Sequence, residues 1–175
     1  MDESAGQEAE RGTASGGIIV GPGEGRTIRG TDAITLIATA EETGGSIGVF
    51  EDISSPGDGP PRHVHYGSDE LFYVLEGEFL FLVGERQESV SAGTYVFVPR
   101  GTVHAYKVIG TGRGRVLSAF VPGGPERALE EFVKLRPEGK EVNRSERRSR
   151  SVTQMNKMFA QMKEKYDSEF VGPPL

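Results

Sequence analysis

The chain has 175 residues, which suits one domain with a buried core, and its 25 glycines and 10 prolines punctuate it too often for a long-helix protein. Its net charge of -6, from 26 acidic and 20 basic residues, sets it against phosphate backbones and anionic membranes, so neither nucleic acid nor a membrane is expected as a partner. There is no cysteine, which removes disulfides and thiolate ligands and leaves nitrogen and oxygen to hold any metal.

In chain order, residues 1–16 are small, polar and acidic, too poor in apolar surface to offset the entropy of ordering them, and are expected to be a disordered tail. They lack the basic start and apolar stretch of a secretory signal, so a cytoplasmic location is expected. From 17 to 122 the sequence changes to strand-length apolar runs: GIIVGPG, AITLIATA, GSIGVFEDIS, HVHY, ELFYVLEG, EFLFLVG, TYVFVPRG, TVHAYKVIG and RVLSAFVPGG. Rich in Val, Ile, Phe and Tyr and split by turn residues, they predict an all-β sandwich or barrel.

Residues 123–175 are expected to form a helical C-terminal extension with a polar linker. ERALEEFVKL predicts a short helix with Leu129, Phe132 and Val133 on one side. The run around Arg144, Arg147, Arg148 and Arg150 is interrupted by Glu146, holds no aromatics, and reads as a solvated linker. In SVTQMNKMFAQMKEKYDSEF, residues Val152, Met155, Phe159, Met162 and Tyr166 recur at helical spacing as one apolar stripe. That stripe must bury against the β core or a partner subunit's helix, or else act as a lid over substrate. No run reaches the ~18 to 20 apolar residues of a membrane span.

The chain's three histidines raise the question of chemistry. His63 and His65 flank Val64; on a strand this spacing puts both rings on one face, about 6.6 Å apart along the chain at a rise of ~3.3 Å per residue. Val64 then faces the other way, into apolar packing. His104 follows the turn Pro99–Arg100–Gly101, where proline fixes φ and glycine permits the positive φ a tight return requires. Counting alone does not choose between Asp69 and Glu70 as a nearby carboxylate, because the YGSD turn interrupts strand parity.

Gly57, His63-x-His65, Glu70 and Gly77, followed by Gly93, Pro99-x-Gly101 and His104, resemble at their spacing the two signatures of the cupin superfamily. Where the second signature usually ends in Asn, this chain has Val108. The resemblance implies a cupin double-stranded β-helix, a small antiparallel β-barrel, from about 17 to 122 with C-terminal helices. It also implies a metal held by His63, His65, Glu70 and His104. Four such ligands close a tetrahedral zinc site but leave two positions open on an octahedral ion, so one divalent iron, manganese, nickel or cobalt is expected ahead of zinc. By strand parity, Phe72 goes with Glu70 and Tyr106 with His104 as candidate substrate-binding residues, while Leu71, Tyr73 and Leu75 face away from the metal toward a second sheet or another subunit.

The GPGEG opening, PPRHVHYGSDELFYVLEGE, FVPRGTVHAYK and EFVGPPL resemble the single-domain quercetin 2,3-dioxygenase-like cupins. That implies a metal-dependent dioxygenase acting on an aromatic or enolisable hydroxy-carbonyl compound, with Glu70 as the catalytic base. The alternatives are a non-redox isomerase, epimerase or lyase, and a non-catalytic small-molecule-binding cupin. Unpaired sheet edges and the habit of single-domain cupins to pair through their sheets imply a homodimer.

Overall fold

The computed structural model describes residues 17–29, 33–129 and 160–175. Its strands form two antiparallel sheets. The first, in spatial order, joins β1 (Arg26–Arg29), β2 (Ala33–Ala38), β3 (Gly48–Ser54), β10 (Gly114–Val121), β5 (Asp69–Glu76) and β8 (Tyr95–Val98). The second joins β11 (Ser168–Phe170), β4 (His63–His65), β9 (His104–Val108), β6 (Glu78–Val83) and β7 (Arg86–Ser91).

Period-2 alternation decides which residues fill the space between the sheets. On β5, Glu70, Phe72 and Val74 are buried, while Tyr73 and Leu75 on the other face are 44% and 38% exposed. On β9, His104, Tyr106 and Val108 share the inward face. The core joins the two layers: Phe72, Val74, Val98 and Val116 from the first sheet pack with Phe79, Phe81, Tyr106 and Val108 from the second. Full burial of each large side chain contributes on the order of 1.5–3 kcal/mol.

The expected closed β-barrel is corrected by this topology. Among the described residues no ladder joins β1 to β8 or β11 to β7, so each sheet ends on open edges and the two stack as layers. Burial alternation is the same in a sandwich and a barrel, which is why sequence parity did not separate them; edge pairing does.

Four segments differ from the sequence reading. GIIVGPG is not a strand, and Ile19 is 97% exposed; its glycines and proline keep it from pairing. RTIR and RQESVS form the edge strands β1 and β7 instead, each paired on one side only and without the apolar run that marks an interior strand. SEF, read as the end of the second helix, is β11, and the helix ends at residue 166.

The chain crosses from one sheet to the other at Gly77, between β5 and β6. Its φ is 86°, and a Cβ there would lie 2.8 Å from the Arg113 carbonyl oxygen. Both the left-handed backbone and the close approach require glycine. The tail 1–16, the helical positions Phe132 and Val133, the arginines 144–150 and the stripe residues Val152, Met155 and Phe159 lie outside the described residues. No helix among the described residues is long and apolar enough to cross a membrane.

Candidate metal centre

Strand β4 is only three residues long, and it is held from both sides, by β9 and by β11. Its alternation turns His63 and His65 to one face and leaves Val64, 2% exposed, buried on the other. His104 is the register partner of His63 across the β4–β9 pair, and their ring centroids are 4.1 Å apart. Glu70 arrives from the opposite sheet, on β5. Ligand atoms of His63, His65, Glu70 and His104 all lie within 4.8 Å of one another.

The structure settles which carboxylate enters this cluster. Asp69 turns outward and accepts from Arg100 N at 2.8 Å and from Arg100 Nε and Nη2 at 3.1 Å, while Glu70 turns inward and is 3% exposed. The same turn is fastened to the metal strand by Gly101 N, which donates to the His65 carbonyl at 2.7 Å with Gly101 at φ 78°. The Pro99–Gly101 element thus ties β4, the start of β5 and the start of β9 together, three strands that carry all four side chains.

The hydrogen bonds fix the protonation pattern of the imidazoles. His63 Nδ1 lies 2.8 Å from the Pro61 carbonyl oxygen and His104 Nδ1 2.9 Å from that of Thr102; a carbonyl only accepts, so both Nδ1 atoms carry the proton. Ser168 Oγ donates to the Tyr166 carbonyl at 2.9 Å, so His65 Nδ1, at 2.7 Å from that oxygen, is also the donor. In the neutral rings every Nε2 is therefore a lone pair facing the cluster. His104 Nε2 is 2.8 Å from Glu70 Oε2, two acceptors in contact unless a proton or a cation lies between them. His65 Nε2 is buried, 3.3 Å from the same oxygen, and makes no hydrogen bond. Three convergent imidazole lone pairs and a carboxylate fit a divalent transition-metal ion, and the Nδ1 acceptors are the outer partners that such ligands require.

Burial, and then the like charge of His104 and His65, hold His63 well below its ordinary pKa of 6.5. For Glu70 in the metal-free protein burial pushes upward, but the protonated forms of His104 and His65, which turn an Nε2–H and a positive charge toward it, outweigh burial and hold the carboxyl at about 2. Both shifts act in the same direction on the metal-stripped protein. His63 is a base depressed by folding, so below 6.5 the unfolded chain binds more protons and stability is lost. Glu70 contributes stability that is fully present above its ordinary 4.5 and lost as pH falls toward 2. The melting temperature in chelator is expected to fall steadily from about pH 7 to about pH 4; a flat profile across that range contradicts the assignment. Bound metal is expected to leave in the same direction, displaced by imidazole protonation while Glu70 is still ionised.

Three of the cluster's residues, His63, His65 and Glu70, line a cavity of about 90 Å³. Phe72 and Tyr106, picked out by parity, both line it, as do Phe50, Phe120 and, from the C-terminal segment, Met162 and Phe170. Phe120 stands edge-on to His65 at 4.9 Å and Phe170 tilts over His63 at 5.9 Å. Two polar residues escaped the sequence reading. Asp52 Oδ2 accepts from Tyr106 Oη and from Ser54 Oγ, the latter at 3.0 Å, and all three side chains line the cavity. The signal was present in VFEDIS, where Phe50, Asp52 and Ser54 share strand parity.

Residues 53–120 match the family model of the cupin domain. This segment is a cupin domain. It spans β5, β9 and β4, and so includes all four side chains of the cluster. Over 102 residues the chain is 28% identical to quercetin 2,3-dioxygenase of Bacillus subtilis (strain 168), covering 58% of this chain and 30% of that one. The chain therefore spans less than a third of that relative's length. Among solved structures, a predicted oxalate decarboxylase of Thermotoga maritima superposes with a TM-score of 0.56 at 18% identity, over 60% of this chain and 99% of the other. An RmlC-like cupin of Shewanella frigidimarina NCIMB 400 gives 0.53 at 22% identity, over 67% and 97%. These two share the cupin fold; at such identities they carry no function across.

Proposed function

We propose that this cupin is a metal-dependent dioxygenase acting on a small enolisable or aromatic hydroxy-carbonyl compound. The observation that carries the reading is the His₃Glu cluster, with its carboxylate buried, opening onto an apolar-walled cavity. The likeness to a quercetin 2,3-dioxygenase supports the oxygenase class. His63, His65, Glu70 and His104 would hold a divalent ion, which would supply Lewis acidity toward a substrate oxygen.

The chain's own residues do the rest. Glu70, ionised at neutral pH, accepts the substrate's hydroxyl proton at its carboxylate and stays hydrogen-bonded to the group it has deprotonated. Phe72, Phe50 and Phe120 exclude water and give an aromatic or enol plane a surface to lie against. Tyr106 and Asp52 mark the polar exception in that wall. A cavity of about 90 Å³ is below the ~300 Å³ typical of small-molecule sites and favours the smaller members of the class.

The test is oxygen uptake by protein loaded in turn with iron, manganese, cobalt and nickel, against β-dicarbonyls, catechols and flavonols. The expected result is uptake of one dioxygen per substrate without added reductant, with the small β-dicarbonyls ahead of the flavonols. Turnover that persists under strict exclusion of oxygen replaces this reading with the non-redox isomerase or lyase, and tight binding without chemical change replaces it with a binding protein.

A further inference from the structure

Two of the three imidazoles are oriented locally. His63 and His104 each donate to a carbonyl two residues back, Pro61 and Thr102. His65 is oriented from 103 residues away, by the hydroxyl of Ser168 on β11 at 2.7 Å. Ser168 is 2% exposed, and its one proton is committed to the Tyr166 carbonyl.

The C-terminal strand is built to put that hydroxyl there. β11 pairs with β4 so that Ser168 opposes His65 and Phe170 opposes His63. The chain enters β11 through Asp167, a non-glycine residue at φ 49°, in the left-handed turn that closes the helix ending at 166. Backbone bonds extend the pairing past both ends: Tyr66 N to the Asp167 carbonyl at 2.8 Å, Val171 N to Arg62 at 2.8 Å, and Arg62 N to Pro173 at 3.4 Å. On the outer side Glu169 accepts from Tyr66 Oη at 2.8 Å and from Lys163 Nζ at 2.9 Å.

We propose that Ser168 is a positioning residue for His65, holding its proton on Nδ1 and its lone pair on Nε2, so that seating of β11 and loading of the metal are coupled. The proposal rests on the metal reading of the cluster. Without an acceptor at Ser168 Oγ, the His65 ring is free to carry its proton on Nε2, where it faces Glu70 and opposes ligation. The coupling is reciprocal: the factor by which a seated β11 raises metal affinity is the factor by which metal favours the seated strand.

Zinc alone serves as the probe, titrated against a competing chelator into the full-length wild type, Ser168→Ala and Ser168→Thr. Ser168→Ala is expected to weaken zinc binding by about 10- to 100-fold, the usual consequence of removing an outer partner of a ligand, and Ser168→Thr to restore most of it. Nitrogen-15 spectra of the metal-free proteins are expected to show His65 moving toward the Nε2–H tautomer in Ser168→Ala alone, with His63 and His104 unchanged. Hydrogen exchange at the Tyr66 and Val171 amides is expected to slow when zinc is added, and to slow less in Ser168→Ala. Unchanged affinity and tautomer in Ser168→Ala overturn the proposal while leaving the metal site intact, as does equal weakening by alanine and threonine, which indicates packing alone. Failure of the wild type to take zinc overturns the metal reading itself, and this proposal with it.

Discussion

Replacing His104 with alanine is expected to lower divalent-metal affinity by about 100-fold or more, since loss of an outer partner alone commonly costs 10- to 100-fold and this removes a ligand. His104 is the best-placed of the three rings for so large an effect. It is 2% exposed, it is the register partner of His63, and its Nε2 makes the shortest contact in the cluster with Glu70. The substitution also leaves a buried carboxylate with one fewer partner, and breaking such a pair from one side costs ~3–5 kcal/mol. The metal-free variant is therefore expected to melt below metal-free wild type, which separates the structural loss from the loss of metal. Elemental analysis after dialysis against dilute chelator gives the metal result directly. Retention of wild-type metal content by His104→Ala contradicts the four-ligand site.

The second large effect is expected at Glu70. Glu70→Gln keeps a carbonyl oxygen in place and offers an amide N–H to His104 Nε2, so the fold and much of the metal affinity should survive. What disappears is the ability to accept a proton. Turnover is expected to fall by about 10²- to 10⁴-fold, the range for removal of a general base, with a much smaller change in metal content. Because the carboxyl is held at about 2 in the metal-free protein and a neighbouring cation lowers a carboxyl further, the wild-type rate is expected to show no acid limb from Glu70 near neutrality. If both metal content and oxygen uptake are unchanged in Glu70→Gln, the proton-accepting role assigned to this residue is wrong.

The site was more legible in the sequence than the fold around it. His63 and His65 could be read as neighbours on one strand face because a strand repeats every two residues, and Phe72 and Tyr106 followed from the same parity. Glu70 was a different case. Three residues, Tyr66, Gly67 and Ser68, stand between β4 and β5, parity is lost across them, and only the resemblance chose Glu70 over Asp69; in space the choice is made by Arg100, which draws Asp69 outward. Ser168 was invisible for a physical reason: its partner is 103 residues away, and a three-residue strand at the end of a helical pattern has no periodicity of its own. The closed barrel failed similarly. Whether a sheet closes is decided by the pairing of its end strands, and here those are β1, β8, β7 and β11, each only three to six residues long and too short for its composition to name a neighbour.

Three of the four donors ride on adjacent strands of one layer and the fourth reaches across from the other. Register therefore fixes the imidazoles relative to each other, whereas the gap between the layers fixes the oxygen. Phe72 from one layer and Phe81 from the other, which meet edge-to-face at 5.2 Å, are among the core side chains that fill that gap. Ion selectivity in this molecule is thus open to adjustment by aromatic bulk alone, so trimming or enlarging either ring should re-rank ions of different radius with every donor left in place.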